Sequence, residues 1–205
     1  MKRNEFFATW SKLHLDAPIT GIVKGWLSIS YPLARVLCAL RITPNALTVL
    51  GVILAAAALF FPTSVIALIF IALSLICDGV DGSVAIISGR ASDLGSILDS
   101  IADRITEALW FFAAYQWGIA PEICLILFAL SLTQEYARAR MASLGFHELG
   151  VVTIAERPVR ASAIAIFMVL ELLDFSFAPI ALYIFTAMAT FSAYQVMRAA
   201  RRHLQ

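Results

Sequence analysis

The sequence predicts an all-α integral membrane protein, with six transmembrane helices preceded by an amphipathic juxtamembrane helix. Of its 205 residues, 61% are hydrophobic and 14% are charged, whereas soluble domains are usually about 45–50% apolar. The apolar residues are collected in six segments, and each approaches the roughly 20 residues that a helix needs to cross a bilayer. The basic residues lie at one end of these segments. Together the three observations exclude an ordinary soluble domain.

The six predicted spans follow one another through residues 43–205, which form one transmembrane domain. They cover residues 46–61, 65–87, 93–117, 123–141, 153–173 and 180–197. Thr43 and Pro44 mark the start of the first span, because Thr caps helices and Pro fits the first helical position. Short turns join most spans, and a longer loop is predicted at 145–152.

Residues 1–42 are predicted to be a separate juxtamembrane segment. Aromatic and aliphatic residues, among them Trp10 and Trp26, alternate there with basic residues at roughly helical spacing. Such a helix lies on the anionic cytoplasmic surface of a membrane. The alternative is a short span at 22–40, but Lys24 and Arg35 argue against it. The tryptophans are predicted to anchor or pack, and His14 to be solvated.

The distribution of charge predicts the orientation. All 15 Lys and Arg residues lie on or near one side of the predicted bundle, whereas Glu122, Glu171 and Asp174 lie near the opposite turns. The positive-inside rule then places both termini on the cytoplasmic side of the cytoplasmic membrane. The net charge of +1 gives no reason to expect a nucleic-acid partner.

Four aspartates interrupt the second and third spans, at their cytoplasmic ends. Asp78 and Asp81 are three residues apart and Asp99 and Asp103 are four apart, so each pair shares a helix face. One ionised carboxylate at membrane depth costs at least about 2.5–3.5 kcal/mol. Divalent cations relieve this cost, and an all-oxygen site suits Mg²⁺, Mn²⁺ or Ca²⁺. The sequence therefore predicts a metal site where the two helices face each other.

The same stretch resembles the signature of the CDP-alcohol phosphotransferases. The signature is Asp-x-x-Asp-Gly-x-x-Ala, a gap of nine residues, and Gly-x-x-x-Asp-x-x-x-Asp; here its seven fixed positions are Asp78, Asp81, Gly82, Ala85, Gly95, Asp99 and Asp103. One position departs from the family pattern, because Ile86 stands where Arg usually follows the Ala. Arg90, one helical turn later, is the candidate to replace that Arg.

The resemblance implies a two-metal site for Mg²⁺ or Mn²⁺. Its ligands would be Asp78, Asp81, Asp99 and Asp103, and Asp103 would also be the general base. The implied donor is CDP-diacylglycerol, from which the phosphatidyl group passes to a hydroxyl of a polar acceptor as CMP leaves. A homodimer is implied only in the same way.

The resemblance also implies a nucleotide site beside the aspartates. The residues expected to contact the nucleotide or its diphosphate are Asn45, Asp78, Gly79, Gly82, Arg90 and Ser92. The two glycines would admit the nucleotide close to the backbone. Asn45 follows the Thr43-Pro44 helix start and resembles the family's Pro-Asn pair near the cytidine.

A second, basic cluster is predicted to hold a phosphorylated acceptor. Arg138 and Arg140 end the fourth span, and Arg157 and Arg160 start the fifth, where Thr153-x-x-Glu156 forms a capping-box pattern. A helix N-terminus with nearby arginines favours anions. The alternative is membrane anchoring with Glu–Arg pairing.

The neighbourhood of this cluster favours one branch of the family. Residues 136–140 and 155–160, with 98–104, resemble those of phosphatidylinositol-phosphate synthases, so inositol phosphate or glycerol phosphate is the expected acceptor. Three alternatives remain open: a cardiolipin-forming transferase that uses phosphatidylglycerol, a divalent-cation transporter, and an inactive homologue.

Overall fold

A computed structural model describes residues 1–14, 16–145 and 153–204. The predicted loop at 145–152, apart from Gly145, lies outside these residues. Within them the chain forms eight helices and no strand: α1 Arg3–Leu13, α2 Gly21–Ala39, α3 Pro44–Ala58, α4 Val65–Ser88, α5 Asp93–Gln116, α6 Pro121–Ser143, α7 Arg157–Leu172 and α8 Ala178–Leu204. The all-α class is confirmed.

Helices α3 to α8 follow the order of the six predicted segments, but some boundaries differ. The fifth segment was expected to begin near Thr153, whereas α7 begins at Arg157 with Glu156 as its N-cap. Thr153 and Glu156 do make the bonds of the capping pattern, since the Thr153 N–H donates to Glu156 Oε1 at 2.7 Å. These bonds close a turn before the helix instead of its first turn.

Two helices are long and apolar enough to cross a membrane by themselves, Val65–Ser88 and Ala178–Arg202. A third candidate is the pair Val23–Ala39 and Pro44–Ala58, which is bent by 108°. Helix α5 contains Asp93, Asp99, Asp103, Arg104 and Glu107, which make it more polar than a typical span. The described residues therefore support two or three candidate spans, a coarser result than the six expected.

The first of two compact units contains residues 1–54 and 72–106. Its core joins α2, α3 and α4 through Ala34, Leu47, Val80 and Val84, all of them buried. At Gly51 the backbones of α3 and α4 come close, and the Ser74 hydroxyl donates to the Gly51 carbonyl at 2.7 Å. This close packing fixes α3 beside the aspartate-bearing part of α4.

The second unit contains residues 55–71 and 107–205. Helices α6 and α7 both pack against α8. Buried polar contacts reinforce the apolar packing, since Gln134 Nε2 donates to the Ala189 carbonyl at 3.2 Å and the Ala155 N–H donates to Ser192 Oγ at 3.0 Å. Arg160 and Glu107 lie in its core.

Candidate active site

The carboxylates of α4 and α5 meet in the first unit. Asp78, Asp99 and Asp103 each contribute an oxygen, the three oxygens lie within 4.8 Å of one another, and all three side chains are half-buried. Asp99 and Asp103 lie one turn apart on α5, so one helix face carries both. Such a set of carboxylate oxygens fits Mg²⁺, Mn²⁺ or Ca²⁺. The residues present are therefore suited to a divalent cation.

Asp81, the fourth predicted ligand, is not a member of this group of three. It is only 5% exposed, and its Oδ2 accepts a 2.5 Å hydrogen bond from Thr48 Oγ1 of α3. Its Oδ1 accepts a 2.6 Å bond from the Gly82 N–H. Thr48 was missed by the sequence analysis, although it lies one turn after Asn45 and so shares its face of α3.

Asp103, the predicted general base, has an arginine beside it. Arg104 Nη2 lies 3.6 Å from Asp103 Oδ2, a distance of an ion pair rather than of a hydrogen bond. The Asp103 carbonyl accepts a 3.0 Å bond from Thr106 Oγ1.

A cavity of about 340 Å³ opens beside the carboxylates in the first unit. The residues expected to contact the nucleotide all line it: Asn45, Asp78, Gly79, Gly82, Arg90 and Ser92. Asp81 and Asp99 line it as well. The structure thus brings the expected nucleotide site and much of the expected metal site together, and the binding roles themselves stay predictions.

Two walls of this cavity are close-packed around glycines. The Trp26 indole N–H donates to the Gly79 carbonyl at 3.2 Å, and a Cβ on Gly79 would overlap the Trp26 ring. A Cβ on Gly95 would lie 3.1 Å from Ser92 Oγ and 3.6 Å from Asn45 Oδ1. Ser92 Oγ accepts from the Gly95 N–H at 3.1 Å, so Ser92 also caps α5.

Ile86, the departure from the family signature, lies in an apolar cluster. It is 7% exposed and packs with Phe6 of α1 and Leu27 of α2. Ile86 also lines the cavity, as does Arg90, which is exposed. The chain therefore places a guanidinium at the cavity from the expected substitute position.

In the second unit, the four arginines of the predicted acceptor site have different surroundings, although Arg160 Nη2 lies 3.4 Å from Glu135 Oε1, an oxygen that Arg138 also contacts. Arg138 is held by Glu156, with Nη2 to Oε1 at 2.6 Å and Nη1 to Oε2 at 2.9 Å. Its Nη1 also lies 3.5 Å from Glu135 Oε1. Arg140, two residues later, is exposed and donates to Ser143 Oγ at 3.4 Å.

Arg160 is 1% exposed and forms a buried ion pair with Glu107. It also donates to the Ala155 carbonyl at 2.8 Å, while Glu107 Oε2 accepts a 2.6 Å bond from the Ser131 hydroxyl. The Glu–Arg pairing that the sequence left as an alternative is thus realised for Arg138 and Arg160. The sequence analysis did not identify Glu107, which lies 53 residues before its partner.

Arg157 begins α7 and lies against an aromatic ring. Its guanidinium carbon is 5.2 Å from the centroid of the Trp110 ring, within the range of a cation–π contact. Trp110 is fully buried. Arg140 is exposed, and Arg157 is the first residue of α7, so both lie in positions that differ from that of the buried Arg160.

Glu156, at the N-cap of α7, is stabilised as an anion. Burial raises its pKa, but hydrogen bonds from Arg138 and Thr153 outweigh burial, so the pKa lies below the usual 4.5. The Thr153 hydroxyl contributes a 2.8 Å bond. The Arg138–Glu156 pair therefore stays charged through the neutral range.

Comparison with known proteins agrees with the signature and with the fold. A family model described as CDP-alcohol phosphatidyltransferase matches residues 41–196. An archaetidylinositol phosphate synthase of Aeropyrum pernix is 41% identical over 124 residues, which cover 59% of this chain and 63% of the relative. The chain thus matches a little less than two thirds of that relative's length.

Two crystal structures of the phosphatidylinositol phosphate synthase PgsA1 of Mycobacterium tuberculosis share the fold. The structure in complex with manganese and citrate has a TM-score of 0.67 at 20% identity, covering 82% of this chain and 87% of that one. The structure with CDP-DAG bound has a TM-score of 0.66 at 22% identity, covering 83% and 92%. Since the family model spans most of the sequence, the chain belongs to the CDP-alcohol phosphatidyltransferase family.

Proposed function

We propose that the protein is a transferase of phospholipid biosynthesis that moves the phosphatidyl group of CDP-diacylglycerol to a hydroxyl of a polar acceptor. The observation that carries the proposal is the meeting of Asp78, Asp99 and Asp103 within 4.8 Å, in the unit whose cavity collects the expected nucleotide residues. Family membership supports the reaction class, and PgsA1, which shares the fold, has been crystallised with CDP-DAG.

The four aspartates of the signature are assigned to a two-metal site for Mg²⁺ or Mn²⁺. Divalent ions supply neutralisation of the diphosphate and stabilise the attacking and leaving oxygens of phosphoryl transfer. Asp78, Asp99 and Asp103 supply oxygens within 4.8 Å of one another. Thr48 fixes the rotamer of Asp81 through its 2.5 Å hydrogen bond. The crystal structure of PgsA1 with manganese supports the choice of ion.

The reaction itself needs one proton transfer. Asp103 accepts the proton of the acceptor hydroxyl as its oxygen bonds to the phosphorus on the lipid side. The bond between that phosphorus and the oxygen bridging to CMP breaks, and CMP leaves with the electron pair. Asn45, Gly79, Gly82, Ser92 and Arg90 hold the nucleotide and its diphosphate in the cavity.

The acceptor is proposed to be a phosphorylated polyol, inositol phosphate in the first place. Relatives named archaetidylinositol phosphate synthase and phosphatidylinositol phosphate synthase support it. Among the four arginines of the predicted acceptor site, the exposed Arg140 and Arg157 at the N-terminus of α7 are the direct candidates for the acceptor phosphate. Arg138 and Arg160 position their glutamate partners.

In the proposed topology, α3 to α8 are six spans and α1 and α2 lie on the cytoplasmic surface. The 108° bend between the two helices on either side of residues 40–43 supports a change from surface to span. Both termini and the aspartates are placed on the cytoplasmic side by the positive-inside rule. A homodimer is part of the proposal.

The test is release of labelled CMP from CDP-diacylglycerol by the purified full chain in nanodiscs. The reaction is run with Mg²⁺ or Mn²⁺ and, separately, inositol phosphate, glycerol phosphate, phosphatidylglycerol or no acceptor. Release that needs both metal and inositol phosphate is expected. Release with phosphatidylglycerol alone would favour the cardiolipin-forming alternative. No release with any acceptor, together with Mn²⁺ uptake into proteoliposomes, would overturn the proposal in favour of a transporter.

A further inference from the structure

Helix α1 reaches the cavity that holds the aspartates, although it lies outside the residues that the family model matches. Trp10, Leu13 and His14 of this first segment line the cavity together with Asp78 and Asp99. The sequence had assigned α1 only to the membrane surface. The side chains at its C-terminal end instead face the cavity in which the proposed donor would bind.

The position of α1 is fixed by contacts near its N-terminus. Phe6 is fully buried against Leu27 of α2 and Ile86 of α4. Arg3 donates to Ser28 Oγ at 2.6 Å, and the Tyr31 hydroxyl donates to the Met1 carbonyl at 3.0 Å. These contacts, made by residues on one helix and on its two neighbours, hold α1 as part of the first unit.

Ile86 links this docking to the departure from the family signature. The Ile86 side chain packs with Phe6 and Leu27 and also lines the cavity. The residue at the departing position of the signature therefore contacts α1 directly.

The part of α1 that lines the cavity is aromatic and preorganised. The rings of Trp10 and His14 are stacked, with centroids 3.9 Å apart and planes 15° apart. His14 Nδ1 lies 2.8 Å from the Trp10 carbonyl, which only accepts, so Nδ1 is the donor and the ring orientation is set. Flat, fixed rings are platforms on which an aromatic base stacks.

We infer that the Trp10–His14 pair is a wall of the donor site on which the cytosine base of the nucleotide packs. The inference rests on the proposed function, since cytosine is the only aromatic part of the proposed donor. The diphosphate is proposed to bind near the carboxylates, and the apolar lipid chains gain little from a polar aromatic surface. The pair therefore acts on nucleotide affinity rather than on the transfer of the phosphatidyl group.

The experiment compares two ligands that differ at C1′ of the ribose, which carries cytosine in one and a hydroxyl group in the other. Binding of CMP and of ribose 5-phosphate to the full chain is measured by calorimetry in the presence of Mn²⁺. In Trp10→Leu and in His14→Leu, the Kd of CMP is expected to rise about tenfold, while the Kd of ribose 5-phosphate stays within about twofold. Trp10→Phe, which keeps a ring, is expected to retain most of the CMP affinity.

Phe7→Leu is the matched control, because Phe7 lies on the same helix and contacts Phe6 rather than the cavity. It is expected to leave both Kd values unchanged. If both ligands weaken together in Trp10→Leu, α1 only supports the fold and the inference is overturned; unchanged CMP binding overturns it too. Failure of the unaltered protein to bind CMP would instead contradict the proposed function.

Discussion

Two regions of the molecule hold buried or half-buried carboxylates, and the groups around these carboxylates differ. In the acidic cavity of the first unit, Asp78, Asp99 and Asp103 approach one another within 4.8 Å. In the second unit, Glu107 and Glu156 are each held by an arginine, Arg160 and Arg138. The second arrangement pairs each glutamate with a guanidinium, whereas the first brings like charges close together, which favours the binding of a divalent cation. We therefore expect the first region to act as a ligand site and the second as a structural one.

The largest expected effect comes from the acidic cavity. Asp99→Asn replaces one of the three carboxylates that meet there by a neutral amide, so the proposed cation loses one negatively charged ligand. CMP release is expected to fall by about a thousandfold or more, because the charge stabilisation supplied by a metal amounts to several kcal/mol. Mn²⁺ affinity, measured by calorimetry, should fall with it.

Asp93→Asn is the matched control for this loss. Asp93 lies in the first turn of the same helix and is exposed. It is expected to keep both turnover and Mn²⁺ binding. Near-normal turnover of Asp99→Asn would contradict the ligand role and, with it, the contrast between the two regions.

The next effect concerns stability in the second region. Arg160→Met leaves the buried Glu107 without its ion-pair partner, and breaking a buried pair in this way costs about 3–5 kcal/mol. A lower midpoint of thermal unfolding in detergent is expected. The double variant Glu107→Leu with Arg160→Met removes both charges and should recover most of the loss.

Measuring Mn²⁺ binding in the double variant tests whether the Arg160–Glu107 pair acts on stability alone. If the Arg160–Glu107 pair is structural, the double variant regains stability and retains Mn²⁺ binding, because the residues of the proposed ion site belong to the first unit. A double variant that is no more stable than Arg160→Met alone would argue that the pair is needed for more than charge balance.

A smaller effect on metal affinity is expected from Thr48, whose neutral hydroxyl group contacts Asp81 in the acidic cavity. Thr48→Val removes the hydroxyl that donates to Asp81 at 2.5 Å, with little change in volume. A hydrogen bond to a charged group contributes about 1.5–3 kcal/mol, so apparent Mn²⁺ affinity in the CMP-release assay is expected to fall roughly tenfold to a hundredfold. Thr48→Ser keeps the donor and should restore most of it. Equal loss in both variants would indicate a packing role instead.

The features of the two regions that depend on local spacing were predictable from the sequence. Apolar segments gave the order of the helices, and the four-residue interval between Asp99 and Asp103 placed both on one face. The family resemblance for Asn45 and helix spacing for Arg90 selected residues that line one cavity. Such relations follow from helix geometry within a few turns, and a single sequence carries them.

Contacts between distant segments were not predictable in the same way. Thr48 and Asp81 are 33 residues apart, and Glu107 and Arg160 are 53 apart. Which polar residues meet over such separations depends on helix packing angles that spacing does not encode. The capping pattern at Thr153 was recognised, but a pattern of side-chain bonds does not reveal whether a helix begins there or, as found, at Arg157.

The smallest expected effect is the pH dependence of the Arg138–Glu156 pair. Hydrogen bonds from Arg138 and Thr153 hold the pKa of Glu156 below its usual 4.5 in the folded protein. Its contribution to stability is thus fully present above the unfolded-state pKa and is lost as the pH falls through the folded-state pKa. Because the pair is partly exposed, with side chains 23% and 25% accessible, the contribution is expected to be about 1 kcal/mol or less.

Glu156→Gln isolates this contribution, because it keeps the shape of the side chain and removes its charge. The midpoint of thermal unfolding is measured for both proteins from neutral pH downward. At neutral pH the variant is expected to be slightly less stable, and the difference should vanish as the pH falls below 4.5 and Glu156 in the unaltered protein takes up its proton. A difference that stays constant down to low pH would mean that the amide fails to replace the bonds to Thr153 and that charge pairing with Arg138 contributes nothing. The Arg138–Glu156 half of the second region would then be held by hydrogen-bond geometry alone, and its contrast with the acidic cavity would no longer be one of charge.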